Sequence, residues 1–358
     1  MADWLSSMQQ TYEFYTVDPG TWQDVKRLNI IKSCSVNRDA EAETLGHATF
    51  ETVDTLGECY IRVYLITIQN GVKEKHPLGT FLVQTPSSSF DGKVRSVSMD
   101  AYTPLLELKE KQPPIGYSIL KGGNIMDWAC QLTSENVRAP VVMTTCSEKL
   151  YDDFVADPSD TWIAFLKDLM ANAKYEYSLD ELGRILFSPK QDTASLQPVW
   201  TYDDSNSSIL YPELSFNHDL YGIPNVIEVV SSTSGQAEYV RVVNDDPNSP
   251  TSTVSRGREI VHRIDTPNFS ANSEEAGTTL KTQITEYAKQ LLRDLSSIEY
   301  TITYTHGYCP VRIGDCVRLN YSRAGLTDIK AKVISQSIKC TPGCPVTETA
   351  VFTTNLWR

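Results

Sequence analysis

Several patterns are missing from this sequence, and each absence excludes a class of protein. No apolar run reaches the roughly 18 residues that a membrane-spanning helix needs. The most apolar stretch, Tyr60 to Ile68, is interrupted by Arg62 and reads as a strand. The start, Met1-Ala2-Asp3-Trp4-Leu5, has an acid where a secretion signal needs basic residues, so the chain is expected to be made and to stay soluble in a cytoplasm, with no membrane insertion. Positive charge is in deficit: 32 Lys and Arg stand against 45 Asp and Glu, a net charge of -13. Such a balance argues against a protein that grips nucleic acid by neutralising phosphates.

The signatures of chemistry are missing too. There is no G-x-S-x-G elbow, no G-x-x-x-x-G-K-[ST] loop, no G-x-G-x-x-G turn and no D-x-D-x-D-G calcium loop. None of His47, His76, His218, His262 and His306 stands at a metal-binding spacing, and each is expected to be structural. His76 precedes a proline in an expected turn, and His306 lies in a hairpin-like Thr-His-Gly. The acid pairs Asp152-Asp153, Asp203-Asp204 and Asp245-Asp246 fall on polar loops, whereas glycosidases need two carboxylates facing each other across a cleft. Lys121-Gly122-Gly123-Asn124 resembles an anion cradle only in composition, and its glycines serve a turn. Cys34, Cys59, Cys130 and Cys146 are scattered; Cys309, Cys316, Cys340 and Cys344 would converge if their segments pair, but they lack a C-x-x-C knuckle. Free thiols are the default, and no metal, cofactor or enzymatic activity is expected.

What is present is strand-forming sequence around a helical middle, an α+β, β-rich fold class. Tyr60 to Ile68 is dense in β-branched and aromatic residues that suit a pleated, half-buried surface. Asn70-Gly71 supplies the positive φ values of a two-residue hairpin. Gly79 to Gln84 follows as a strand, then a turn at Pro86 to Gly92 and a strand at Lys93 to Met99. Ile125, Trp128, Ala129 and Leu132 mark one face of a helix capped by Asn124. A second helix, capped by Ser159 or Asp160, carries Trp162, Phe165, Leu166, Leu169 and Met170 on a broad apolar stripe. Tyr175 to Phe187 reads as a hairpin around Asp180 to Gly183. Val226–Val230 and Glu238–Val243 read as strands, and Asp245 to Arg256 as a surface loop. A third helix is expected over Ser273 to Leu295, with Leu280, Ile284, Tyr287, Leu291 and Leu295 on one face. Strands follow at Glu299–Tyr304, Asp315–Leu319, Lys330–Ile338 and Thr347–Thr354. The length of 358 residues favours about two or three domains.

Read in order, several segments resemble the baseplate and tail hub family of long-tailed phages and contractile injection systems, whose domains also begin many tail-associated lysins. The residues are Tyr60-Ile61-Arg62-Val63-Tyr64; His76-Pro77-Leu78-Gly79-Thr80-Phe81-Leu82-Val83; and Val94 to Met99 leading into Asp100-Ala101-Tyr102, with Leu105 and Leu106 after it. In the middle are Trp162 to Ala173, Tyr175 and Gly183-Arg184-Ile185-Leu186-Phe187; near the end is Pro310-Val311-Arg312-Ile313-Gly314-Asp315-Cys316-Val317. The resemblance implies two tail-tube-like β-barrel domains, at 1–104 and 225–358, with an α+β module at 105–224 inserted between them. It also implies a homotrimeric, non-enzymatic hub at the virion tail tip, assembled in the host cytoplasm and joining a sixfold tube to a threefold tip. Partners would be the tail tube or distal tail protein above, the tape measure protein, and tip or fibre proteins. Genomic DNA would pass through without specific binding. Tyr60, Arg62, Tyr64, Ile66, Leu78, Phe81, Val83, Val317 and Leu319 would lie on strands packing between barrels. The cysteines at 309, 316, 340 and 344 match no hub pattern. A receptor- or carbohydrate-binding tail protein is the alternative, and a cell-wall hydrolase or peptidase a more distant one.

Overall fold

The computed structural model describes residues 2–90, 92–93, 95–191, 195–218, 221–233, 236–265, 280–295 and 297–355. It divides into two compact units, Met1–Leu214 with Thr303–Ala350, and Ser215–Ile302 with Val351–Arg358.

The first unit opens with seven strands: β1 (Gln9–Val17), β2 (Asp24–Leu28), β3 (Ile31–Asp39), β4 (Gly46–Thr52), β5 (Tyr60–Gln69), β6 (Val72–Phe90) and β7 (Arg95–Tyr102). Gln69 pairs with Val72 across Asn70 (φ 51°) and Gly71 (φ 78°), so the expected Asn-Gly hairpin forms. His76 and Pro77 lie within β6 instead of in a turn. Pro77 is tolerated there because the ladder slips between Val63 and Tyr64, and a bulge leaves no donor demanded of the proline. β6 likewise runs through Pro86 to Phe90, where a turn is expected. Beyond Val83, β6 pairs only with β7, and Pro86 to Phe90 are exposed.

The middle segment holds α1 (Leu106–Glu110), β8 (Ser118–Ile119), α2 (Ile125–Asn136), β9 (Phe154–Val155), α3 (Trp162–Ala171), β10 (Tyr175–Leu179) and β11 (Ile185–Pro189). Asn124 caps α2 by accepting from the Met126 and Asp127 amides at 3.0 and 3.1 Å. α3 is capped by Thr161, not Ser159 or Asp160. Thr161 is the extended residue whose hydroxyl reaches the Ala164 amide, while Asp160 turns back to accept from the Asp157 amide. β10 and β11 form the expected hairpin.

β12 (Pro198–Asp203) and β13 (Leu210–His218) follow, strands not anticipated between the helical module and residue 225. The second unit contributes β14 (Val226–Thr233), β15 (Gln236–Val243), the short α4 (Thr253–Arg256), β16 (Val261–Asp265) and α5 (Leu280–Leu295). β14 pairs antiparallel with β15 and parallel with β16. Helix α5 covers them through Ile284, Ala288 and Leu292, with Leu291 and Leu295 at the margin. The expected stripe is therefore rotated: Tyr287 faces outward, because residues spaced by four define the buried line. The first turns expected for this helix, 273–279, fall outside the described residues.

The chain closes with β17 (Ser297–Gly307), β18 (Cys316–Asn320), β19 (Ile329–Lys339) and β20 (Pro345–Asn355). One large sheet orders its strands β13-β17-β20-β19-β3-β4-β7-β6-β5-β1-β2, with β18 joined to β19 and β12. β12 and β18 pair parallel within it, Trp200 lying opposite Val317 and Tyr202 opposite Leu319. Among the described residues no pairing closes this sheet into a barrel.

Strand β5 is buried on both faces rather than half-buried. Ile61, Val63 and Leu65 enter a core with Phe14, Phe50, Leu78, Phe81, Val83 and Met99, to which Ile338 and Val346 are added from the C-terminal strands. On the opposite face Tyr60 joins Trp22, Leu105, Leu108, Ile163, Phe165 and Leu166 beneath the helical module. The period-2 geometry of the strand thus assigns alternate residues to two cores.

Candidate functional site

Of the residues expected to pack between barrels, Tyr60, Arg62, Tyr64, Ile66, Leu78, Phe81 and Val83 gather on the adjacent strands β5 and β6. Val317 and Leu319 lie apart on β18. All nine are buried within the chain. The informative one is Arg62, 4% exposed. Its Nε donates to Thr80 Oγ1 at 2.9 Å, Nη1 to Asp24 Oδ1 at 2.9 Å, and Nη2 to the carbonyls of Trp22 and Leu182 at 3.2 Å each. Arginine's planar fork of donors suits such a divergent set, which a lysine point charge could not satisfy.

The same fork fixes the tip of the β10–β11 hairpin. Leu182 O accepts from Trp22 Nε1 at 2.7 Å as well as from Arg62. Gly183 has φ +76°, and a Cβ there would stand 2.8 Å from Thr80 Cβ and 3.3 Å from Trp22. Glycine is required both for the left-handed backbone and for the close approach. Two residues along β5, the Tyr60 hydroxyl donates to Glu107 Oε1 at 2.7 Å, and Glu107 also holds the Arg138 side chain and amide. Burial, then the bond to Glu107, pushes the Tyr60 phenol well above its usual range. On the other side, Tyr64 donates to Asp24 Oδ2 at 2.8 Å and is pushed up to about 12 by burial and that bond. Lys75 covers the rings of Tyr15 and Tyr64 at 4.1 and 3.7 Å.

A second buried polar cluster escaped sequence reasoning. His306 on β17 lies 3.3 Å from Glu348 Oε2 on β20, and neither side chain is exposed. Tyr202 OH lies 3.1 Å from His306 Nε2 and 3.2 Å from Cys309 Sγ. Tyr304 donates to Glu348, and Gln336 Nε2 donates to the same carboxylate at 2.8 Å. Arg38 extends the chain, donating to Gln336 Oε1 at 3.0 Å. Burial pulls the His306 pKa down, but its contacts with Cys309 and Glu348 more than offset this and raise it to about 10. A charged imidazolium paired with a carboxylate follows at neutral pH. Only the period-2 burial of β17 and β20 could have flagged the pair, and 42 residues separate its members.

Cysteine, histidine and glutamate within reach of one another are also the parts of a nucleophilic catalyst. Here they are sealed: Cys309 is 2% exposed and His306 and Glu348 are 0% exposed, so no substrate reaches the thiol. Open clefts lie elsewhere, among them two lined in part by the β10–β11 hairpin. One, of about 160 Å³, is lined by Arg38, Thr80, Glu181, Arg312 and Asp315, with Glu181 bound to Arg312 Nε at 2.6 Å. The other, of about 470 Å³, sets Lys167, Lys174 and Lys190 among Glu41, Glu43 and Glu176, with no Cys, His or Ser in its wall. Among the described residues no group of His, Cys, Asp and Glu is arranged to hold a metal. The late cysteines do not converge as one group: Cys309 meets His306 and Tyr202, whereas Cys340 and Cys344 lie beside Cys34.

No protein-family model matches the chain, and no curated protein matches it in sequence. Its fold, however, matches solved structures over nearly its whole length. The tail protein from Neisseria meningitidis MC58 superposes with a TM-score of 0.64 at 13% identity, covering 97% of this chain and 98% of that one. The 43 kDa tail protein of prophage MuSo2 from Shewanella oneidensis gives 0.62 at 12% identity, covering 95% and 98%. A chain of the Francisella PdpA-VgrG complex gives 0.56 at 11% identity, covering 96% of this chain and 58% of that one. The chain therefore has the fold of phage tail proteins and their secretion-system counterparts.

Two outcomes follow from the buried clusters. Arg62→Met should lower unfolding free energy by about 3 kcal/mol, because Asp24 and two carbonyls lose a buried partner; Arg62→Lys should recover part of that loss in urea titrations. His306, with its folded pKa raised above the ordinary 6.5, contributes stability that is full below about pH 6.5 and lost as pH rises through about 10. Urea midpoints measured from pH 6 to pH 10 should fall with pH in the native protein and fall less in His306→Gln.

Proposed function

We propose that this chain is a structural hub of a phage-type tail, acting by shape and assembly instead of by bond-breaking. The observation that carries the reading is the likeness to the Neisseria tail protein across 97% of this chain, end to end and without a large unmatched segment. The sealed condition of the Cys309–His306–Glu348 cluster supports the non-enzymatic part.

On this reading three copies form a ring at the tail tip, joining a sixfold tube to a threefold tip. Two tube-like segments, 1–104 and 225–358, flank the α+β module at 105–224 in each copy, so three chains present six quasi-equivalent elements. Strands β5 and β6 provide the scaffold from which the inter-barrel edges are presented, while β18 serves the second segment. Tail tube or distal tail protein, tape measure protein, and tip or fibre proteins are the neighbours in the assembled virion. The net charge of -13 per chain triples in the ring, and acids facing a central channel would repel DNA and let it slide through without specific binding.

The oligomeric state tests this reading. The purified protein at micromolar concentration should have three times the 40.1 kDa chain mass by light scattering, and class averages should show a ring with a central hole. A compact monomer that stays monomeric when mixed with tube protein would contradict it.

A further inference from the structure

We infer that Cys34 and Cys340 are a disulfide-forming pair, a covalent lock between the first and last parts of the chain that closes in oxidising surroundings. The inference is independent of the proposed function.

The placement comes from backbone register. β19 pairs antiparallel with β3, Lys339 opposite Ser35, so the next position sets Cys340 opposite Cys34. The Cys340 amide confirms it by donating to the Cys34 carbonyl at 3.0 Å. Directly opposed residues in an antiparallel pair project from the same face, and hydrogen-bonded partners have Cα atoms about 5.5 Å apart. Disulfides span Cα separations of about 4.4–6.8 Å, a range that directly opposed residues of paired strands fall within. Both cysteines pack against one apolar core.

Cys344, the third thiol nearby, is set apart from this register. It follows a tight turn in which its amide donates to Thr341 O at 2.9 Å, its φ is 41°, and Tyr12 contacts its thiol. Access also orders the reaction: Cys340 is partly exposed, whereas Cys34 is buried. A small disulfide oxidant such as oxidised glutathione is attacked by the Cys340 thiolate, which forms a mixed disulfide and releases one glutathione thiol. The Cys34 thiolate then displaces the second glutathione, forming the Sγ–Sγ bond. Overall two cysteine protons and two electrons pass to the oxidant, which becomes two glutathione thiols. Burial, together with the contact to Cys340, holds the Cys34 thiol well above its ordinary pKa, which makes the second step slow. The pair stays reduced in a cytosol and closes on prolonged exposure outside one. Because the bond would close a loop of most of the chain, it restricts the unfolded state strongly.

The test is peptide mapping without reduction. Wild-type protein, which the structure records with free thiols, is held with oxidised glutathione or with dithiothreitol and then digested. The expected result in the oxidised sample is a cross-linked pair of peptides carrying Cys34 and Cys340, lighter by two hydrogens, with a melting midpoint about 5 °C higher. Cys340→Ser should abolish both the link and the shift. Cys34 left reduced, a Cys340–Cys344 link, or glutathione retained on Cys340 would each overturn the inference.

Discussion

The first unit is organised around a buried guanidinium, that of Arg62. An arginine sealed from water must find acceptors for its charge, and the desolvation cost is several kcal/mol if it does not. Arg62 finds them in Asp24 at the start of β2, in Thr80 across the ladder, and in the carbonyl of Leu182 on a hairpin 120 residues away. Apolar contacts alone would let the helical module slide over the sheet, since they have no direction. The guanidinium fork removes that freedom. Trp22 and Gly183 complete the joint, one by sharing the Leu182 carbonyl and the other by having no side chain to keep the layers apart.

This architecture explains why β5 carries residues of such mixed character. Ile61, Val63 and Leu65 are aliphatic because they fill the inner core with Phe50, Leu78 and Met99. The alternate residues Tyr60, Arg62 and Tyr64 each combine a large packed body with a polar tip that bonds to Glu107, to the hairpin, or to Asp24. A polar second face gives the contact between sheet and module a fixed geometry. The His306–Glu348 pair does the same for β17 and β20, where two threonine pairs, Thr303–Thr349 and Thr305–Thr347, line the neighbouring positions. Rigidity of this kind suits a part whose work is to hold a shape under load, and both clusters are closed to substrate.

Local features of this fold were legible in the sequence, and non-local ones were not. Asn70-Gly71 specifies its hairpin through backbone φ alone, and Asn124 specifies its helix start through two amide bonds to nearest neighbours. The strand at Tyr60 was recognisable, but not that both of its faces are buried, because the second face is covered largely by the helical module, from Leu105 onward. Pro77 looked like a turn because proline usually breaks a ladder, and only the bulge opposite Tyr64 makes room for it. β12 was hidden for a similar reason: its partner β18 lies more than a hundred residues later and runs parallel to it, so no short-range pattern announces it. The position of Glu348 beside His306 depends on strand order and could not be read from either residue's surroundings in sequence.

On the proposed reading this chain is a building element of a tail, present in three copies around a passage. The most direct measurement is a residue-resolution reconstruction of the native particle that carries it. Density is expected for three copies encircling an open channel at the tail end, each with the Arg62 joint intact. A single copy, or a position away from the channel axis, would contradict it.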